Sequence, residues 1–164
     1  YETSKEHVYA IGDLLESYML AHVASAEGIK AVKAICRRAE EAVDPLGVPR
    51  SLYTNPEVAS FGLSKEEAEK AGYDVLVEQL PFSYNGRAIA IGETEGYVKL
   101  ISEKQYHLLL GAVIVGPNGT DLLQNLILLR QAEATLDQVL ETVFAHPTTS
   151  ELIQEVAKRL VQDD

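Results

Sequence analysis

The chain predicts an α+β domain: an antiparallel sheet packed with helices, preceded by a short strand–helix piece. Three observations carry this. Residues 8–38 read as one strand followed by one long helix. Residues 51–115 hold several β-patterned stretches separated by turn residues. Residues 121–161 then read as helices. A run of strands followed by a run of helices marks α+β rather than alternating α/β architecture.

Val8-Tyr9-Ala10-Ile11 is an apolar run ending at Gly12-Asp13. It reads as a buried strand, with a turn that places the Asp13 carboxylate at the strand's C-terminal edge. Ligands bind at that edge in open α/β sheets, and a carboxylate suits hydroxyl groups because it only accepts hydrogen bonds. Gly-Asp is equally an ordinary turn. Met19 to Arg38 reads as one helix, with Leu20, Val23, Ile29, Val32, Ala34 and Ile35 at helical spacing. Its first half is small-sided (Ala21, Ala24, Ser25, Ala26), which lets a backbone approach a large partner. Its N-terminus offers free N–H groups to an electron-rich ligand. Gly28 weakens the helix by about 1 kcal/mol relative to Ala, which suits close packing. His22 has a plainer reading as a hydrogen-bonded packing residue.

Ala39 to Pro49 is acidic, then punctuated by Pro and Gly, and reads as a linker and domain boundary. Ser51–Thr54 and Val58–Phe61 read as short strands interrupted by Asn55-Pro56. Ser64-Lys-Glu-Glu67 is a capping box that opens a helix stopping at Gly72. Tyr73–Leu80 reads as a strand. Asn85-Gly86 marks a turn within Pro81–Ile91, with one helical turn after it. Gly96–Ser102 and His107–Val115 form a hairpin, the second strand nearly all apolar and so central. Asp121–Ala132 carries Leu122, Leu123, Leu126, Ile127, Leu128 and Leu129 around most of its circumference. Such a helix is buried on more than one side, against a partner chain or as a central core helix. Thr135–Gln138 is a second box opening a helix to Val143, and a last helix runs from about Thr149 to Val161.

Composition bounds the function classes. The chain has 164 residues, 46% apolar and 24% charged, enough for a domain with a real core. A net charge of −11 argues against binding nucleic acid or an anionic membrane through bulk electrostatics. No apolar run approaches bilayer length, and no secretory leader is read. The first residue is Tyr1 rather than Met, which suggests a piece of a longer polypeptide. Cys36 is the only cysteine, so intrachain disulfide and dithiol chemistry are excluded. A reducing compartment is the natural reading.

The densest chemistry lies in Phe144-Ala145-His146-Pro147-Thr148-Thr149-Ser150-Glu151. His146 suits proton exchange near neutral pH. Glu151 stands five residues on, which is not the spacing of one helical face. A turn at Pro147 must fold the His back over the first turn of the helix. An imidazole Nδ1–H donated to a carboxylate fixes the tautomer and leaves Nε2 to take or give a proton. Thr148-x-x-Glu151 is also a capping box, and on spacing alone that role comes first. The two roles compete for one carboxylate.

Tyr9-Ala-Ile-Gly-Asp13, Met19-Leu-Ala-His22, Tyr53-Thr-Asn-Pro-Glu-Val-Ala-Ser60 and His146-Pro-Thr-Thr-Ser-Glu151 stand in this order along the chain. Together they resemble the C-terminal part of the flavin-dependent disulfide oxidoreductases, with the dihydrolipoyl dehydrogenases as the nearest branch. The resemblance implies that residues 1–45 are the closing strand and helix of an FAD-binding domain, and 46–164 the dimerisation domain. It implies that Asp13 holds the ribityl chain of FAD and that Met19, Leu20, Ala21 and His22 lie against the flavin. It implies that His146, oriented by Glu151, is the acid–base for the redox disulfide of the other subunit, and that Pro147 follows a cis peptide bond. No metal site is expected.

The resemblance further implies a homodimer that uses FAD and NAD, serves the lipoyl domain of a 2-oxo-acid dehydrogenase complex, and works in the cytoplasm or, failing that, an organelle matrix. The dinucleotide fingerprint GxGxxG and a cysteine pair are missing from these residues, so this piece alone is expected to bind neither cofactor and to be inactive. Two alternatives stand beside this reading: a non-catalytic homodimerisation module, and the same part of a glutathione or mercuric reductase. The segment Met19–His22 and the stretch Pro81-Phe-Ser-Tyr-Asn-Gly-Arg-Ala88 favour the dihydrolipoyl dehydrogenases.

Overall fold

The computed structural model describes residues 1–16, 18–38 and 41–162. The chain divides into two compact units, Tyr1–Val48 and Pro49–Asp164.

In the first unit the expected strand at residues 8–11 is not formed. Tyr9 makes a single isolated antiparallel bridge to Glu2, and Val8 and Ile11 are exposed. A strand exists only by pairing, and the described residues of this unit offer it no ladder. Gly12–Leu14 form a short 3-10 turn, followed by helix α1, Ala21–Ile35. This helix starts two residues later than its pattern suggests, because Leu20 is extended at the cap position. It ends before Arg37, whose φ is +55°. Its buried line is Val23, Glu27 and Ala31, spaced four apart, while Ile29, Val32 and Ile35 are exposed. The apolar positions that signalled the helix therefore do not mark its packed face. Of the linker, residues 39 and 40 lie outside the described residues. Beyond them the Val43 N–H donates to the Tyr1 hydroxyl, and Asp44 caps a 3-10 turn at Pro45–Gly47.

The second unit is built on a five-stranded antiparallel sheet. Its strands are β1 (Arg50–Leu52), β2 (Glu57–Gly62), β3 (Val75–Pro81), β4 (Tyr97–Glu103) and β5 (Leu109–Gly116). The spatial order is β1-β2-β5-β4-β3, which puts the most apolar strand in the centre as its composition predicts. Register sets the core. Ala59 faces Ile114, Ile114 faces Val98, and Val98 faces Leu80, and all four are buried. Phe61, Ala112 and Leu100 form a parallel buried row. Side chains alternate across a pleated strand, so one face of the sheet collects these residues. Close crossing of β2 and β5 is possible because position 62 is glycine at φ +72°. A Cβ there would stand 2.2 Å from the Leu110 carbonyl oxygen.

Helices cover that face: α4 (Gly119–Gln131) against β5 and β2, and α6 (Glu151–Gln162) against β3 and β4. Helix α5 (Leu136–Glu141) packs on α6. Leu122, Leu123 and Leu126 of α4 join Leu152, Ile153, Val156, Ala157 and Leu160 of α6 in one core. Leu128, by contrast, is exposed, so α4 is a core helix with one apolar residue facing out. Two short helices close loops. Helix α2 (Lys65–Lys70) carries the capping box, with Ser64 N–H on Glu67 and Glu67 N–H on the Ser64 hydroxyl. Helix α3 (Gly86–Ile91) is longer than the single turn its sequence suggests. Helix α5 stops at Glu141, short of the expected Val143, which is exposed.

Candidate functional site

The loop between α5 and α6 is anchored before it presents anything. Phe144 packs against the core, and the Gln154 side chain of α6 donates to the Thr142 carbonyl at 2.9 Å. Ala145, His146 and Pro147 then stand exposed, with a cis bond between His146 and Pro147. The Thr148 hydroxyl donates back to the Ala145 carbonyl at 2.8 Å, closing the turn.

This turn brings His146 onto Glu151, the first residue of α6. Glu151 Oε1 lies 2.9 Å from His146 Nδ1, and Oε2 accepts the Thr148 backbone N–H at 2.7 Å. The two roles that the sequence set in competition thus fall on separate oxygens of one carboxylate. Thr148 supplies only its backbone to the arrangement, since its hydroxyl is turned to Ala145 and Ser150. The Thr148 N–H, and after it the His146 ring, hold the Glu151 carboxyl below its usual range. An ionised carboxylate accepts, so Nδ1 carries hydrogen and Nε2 is the bare nitrogen of the neutral ring. Nε2 has no hydrogen-bond partner among the described residues, and the His146 side chain is 81% exposed against 25% for Glu151. Chemically this is an oriented imidazole open to an incoming acid.

Sequence reasoning missed two amides here. The sequence marks Asn85 only as a turn residue. It is 5% exposed, caps α3 by accepting the Ala88 N–H at 2.9 Å, and donates Nδ2–H to the Thr148 carbonyl at 3.0 Å. The signal for its cap was present in Asn85-Gly86, whereas its reach across 63 residues to Thr148 leaves no local trace. Gln154 had no signal at all. A second pair was also missed: His107 Nδ1 lies 2.9 Å from Asp137 Oδ2, and the His107 ring holds the Asp137 carboxyl below its usual range.

The other candidate residues belong to the first unit. Asp13 lies in the 3-10 turn with its side chain exposed and no hydrogen-bond partner among the described residues. Gly12 before it has φ +70°, and a Cβ there would come within 3.2 Å of the Ala24 Cβ, so the turn sits tightly on the small-sided helix. Its N–H donates to the Glu27 carboxylate at 2.7 Å, and Glu27 is 2% exposed. Met19 is exposed, Leu20 half-buried at the cap, and Ala21 and His22 open α1 on its exposed side. Leu20, at the cap position, makes no side-chain capping bond.

Residues 48–157 match the family model of the pyridine nucleotide-disulphide oxidoreductase dimerisation domain. The chain is 39% identical over 156 residues to a dihydrolipoyl dehydrogenase of Bacillus subtilis, covering 95% of the chain and 33% of that protein. It is 39% identical over 161 residues to the dihydrolipoyl dehydrogenase of Mycobacterium leprae, covering 98% and 34%. The crystal structure of LpdA from Mycobacterium tuberculosis superposes with a TM-score of 0.86 at 26% identity, over 93% of this chain and 33% of that one. The chain thus spans about a third of the length of the curated relatives it matches. It belongs to the pyridine nucleotide-disulphide oxidoreductases and carries their dimerisation domain.

Proposed function

We propose that the chain is the C-terminal part of a flavin-dependent dihydrolipoyl dehydrogenase, made of the end of its FAD-binding domain and its dimerisation domain. The observation that carries the reading is the His146–Glu151 pair, an exposed imidazole oriented by a carboxylate. The identity to dihydrolipoyl dehydrogenases along nearly the whole chain supports it.

The first unit fits a cofactor with a polyhydroxylated chain and a flat ring. The exposed Asp13 carboxylate has acceptor capacity for hydroxyl groups, and the start of α1 at Met19, Leu20, Ala21 and His22 supplies a helix N-terminus for an electron-rich planar partner. FAD, when bound, supplies two-electron transfer between a dithiol–disulfide centre and NAD. The protein's own task is proton handling. Nε2 of His146 takes the proton of a substrate thiol, which attacks well only as thiolate. Glu151 stabilises the resulting imidazolium and keeps its Nδ1–H in place. The thiol is that of dihydrolipoamide on a lipoyl domain, and the disulfide it meets belongs to the other subunit of a homodimer. The working compartment is the cytoplasm of a bacterium.

The test is His146→Gln in the full-length enzyme. Dihydrolipoamide-dependent turnover is expected to fall by about 10²- to 10⁴-fold, the range for a lost acid–base group, with FAD content intact. Turnover near the unmodified level would remove His146 from the mechanism.

A further inference from the structure

We infer that Asn85 is a positioning residue for the His146–Glu151 pair; this rests on the acid–base reading of His146 given above. Among the described residues the stretch Pro81–Ala88 makes no hydrogen bond to His146, yet the buried Asn85 amide is tied to Thr148, the residue that also bonds Glu151. Asn85 is fixed first. It sits between Phe82 and Ala88, both fully buried, so its backbone has little freedom. Its Oδ1 is committed to the Ala88 N–H at 2.9 Å, which decides the orientation of the amide. Nδ2 must then face the Thr148 carbonyl, 3.0 Å away. That bond holds the Thr148 carbonyl; the Thr148 N–H, in the preceding peptide unit of the same residue, meets Glu151 Oε2 at 2.7 Å while Oε1 meets His146.

Only a side chain that accepts and donates at once fills this role at this reach. Asp accepts but does not donate when ionised, and Ser caps a helix but is too short for both bonds. Both keep the cap on α3, since Asp and Ser are as good at that position as Asn. The clamp on Thr148 is thereby separable from the folding of α3. Among the described residues, the one ionisable neighbour acting on Glu151 is His146 itself. With its carbonyl released, Thr148 is free to turn, which weakens the N–H bond that is the strongest influence lowering the Glu151 carboxyl.

The experiment compares Asn85→Asp, Asn85→Ser and His146→Gln in the full-length enzyme. Dihydrolipoamide turnover in both Asn85 variants is expected to fall between about tenfold and 10²-fold, the scale of a misplaced catalytic group. The loss falls on kcat, with the KM for dihydrolipoamide kept, because the acid–base pair and not the substrate site is displaced. FAD content and NADH-driven reduction of a thiol-free dye stay as in the unmodified enzyme. A loss carried by KM, or one that falls only in step with thermal stability, overturns the inference. Loss in His146→Gln beside unchanged Asn85 variants overturns this inference alone. Unchanged turnover in His146→Gln overturns both, since the pair then has no task for which to be positioned.

Discussion

Two histidine–carboxylate pairs in the second unit share one bond length and differ in which partner faces solvent. His146 Nδ1 and His107 Nδ1 both stand 2.9 Å from a carboxylate oxygen. At the first pair the histidine is 81% exposed and the carboxylate 25%. At the second the order is reversed, 19% for His107 and 52% for Asp137. His107 also uses its backbone: φ is +54°, and its carbonyl accepts the Leu136 N–H at 3.0 Å, tying the turn before β5 to the start of α5. Asp137 takes a further bond from the Thr135 hydroxyl at 3.2 Å. One pair presents an imidazole to solvent over a held carboxylate, and the other tucks its imidazole in as a clamp. On the reading proposed above, the partner that faces outward, and not the distance, separates a proton-transfer site from a structural joint.

The largest expected effect breaks the comparison at the histidines. His146→Gln is expected to lower thiol-dependent turnover by about 10²-fold or more, and His107→Gln to leave it within about twofold, because the His146 ring stands open to solvent and the His107 ring is mostly covered. Steady-state assays of the two variants side by side check this. Equal losses would mean that exposure does not mark the functional pair.

Glu151→Gln sharpens the same contrast from the acidic side. The amide is nearly isosteric, so the turn forms, but the charge that stabilises an imidazolium is gone. Turnover is expected to fall by roughly 10²-fold. Stability falls too, by about 1 kcal/mol, since a charged acceptor for the Thr148 N–H becomes a neutral one. This part depends on pH with a definite sign. The Thr148 N–H, then the His146 ring, hold the Glu151 carboxyl below its ordinary range in the folded protein. Its extra stabilisation is therefore complete above the ordinary carboxylate pKa near about 4 and fades as pH falls through the folded value. Urea melts should show a constant gap between the unmodified protein and Glu151→Gln above about pH 5, shrinking below about pH 4. A gap that widens on acidification would reverse the assignment.

The contrast also shows where the sequence was legible. The capping signal at Ser64–Glu67 is local, and it reads correctly because both partners lie within one turn. The central place of β5 follows from its unbroken apolar run. Residues 8–11 failed as a strand because pairing is not local, and an apolar run says nothing of whether a neighbour is present. Glu27 shows the converse. A carboxylate on a buried helical line is invisible to a hydrophobic pattern, yet it holds the Gly12 turn that carries Asp13. At the site, the meeting of His146 with Glu151 was readable from eight residues, while Asn85 and the His107–Asp137 pair join segments 63 and 30 residues apart.

Asp137→Asn carries the smallest expected effect and isolates the structural pair. The His107 ring, which donates to Asp137, is the main reason that carboxyl stays below its ordinary range, so the amide replacement removes a charged acceptor from the clamp. Asp137 is half exposed, and solvent screens what the charge contributes. The loss of stability at neutral pH is expected to be under about 1 kcal/mol, read from urea melts, with turnover unchanged. As for Glu151, the sign requires this small loss to vanish in acid, where the unmodified carboxyl is protonated as well. The backbone bond from Leu136 to the His107 carbonyl does not depend on that charge and should keep α5 docked. A change in turnover comparable to that of Glu151→Gln would show that the two pairs are coupled, and exposure would no longer suffice to tell them apart.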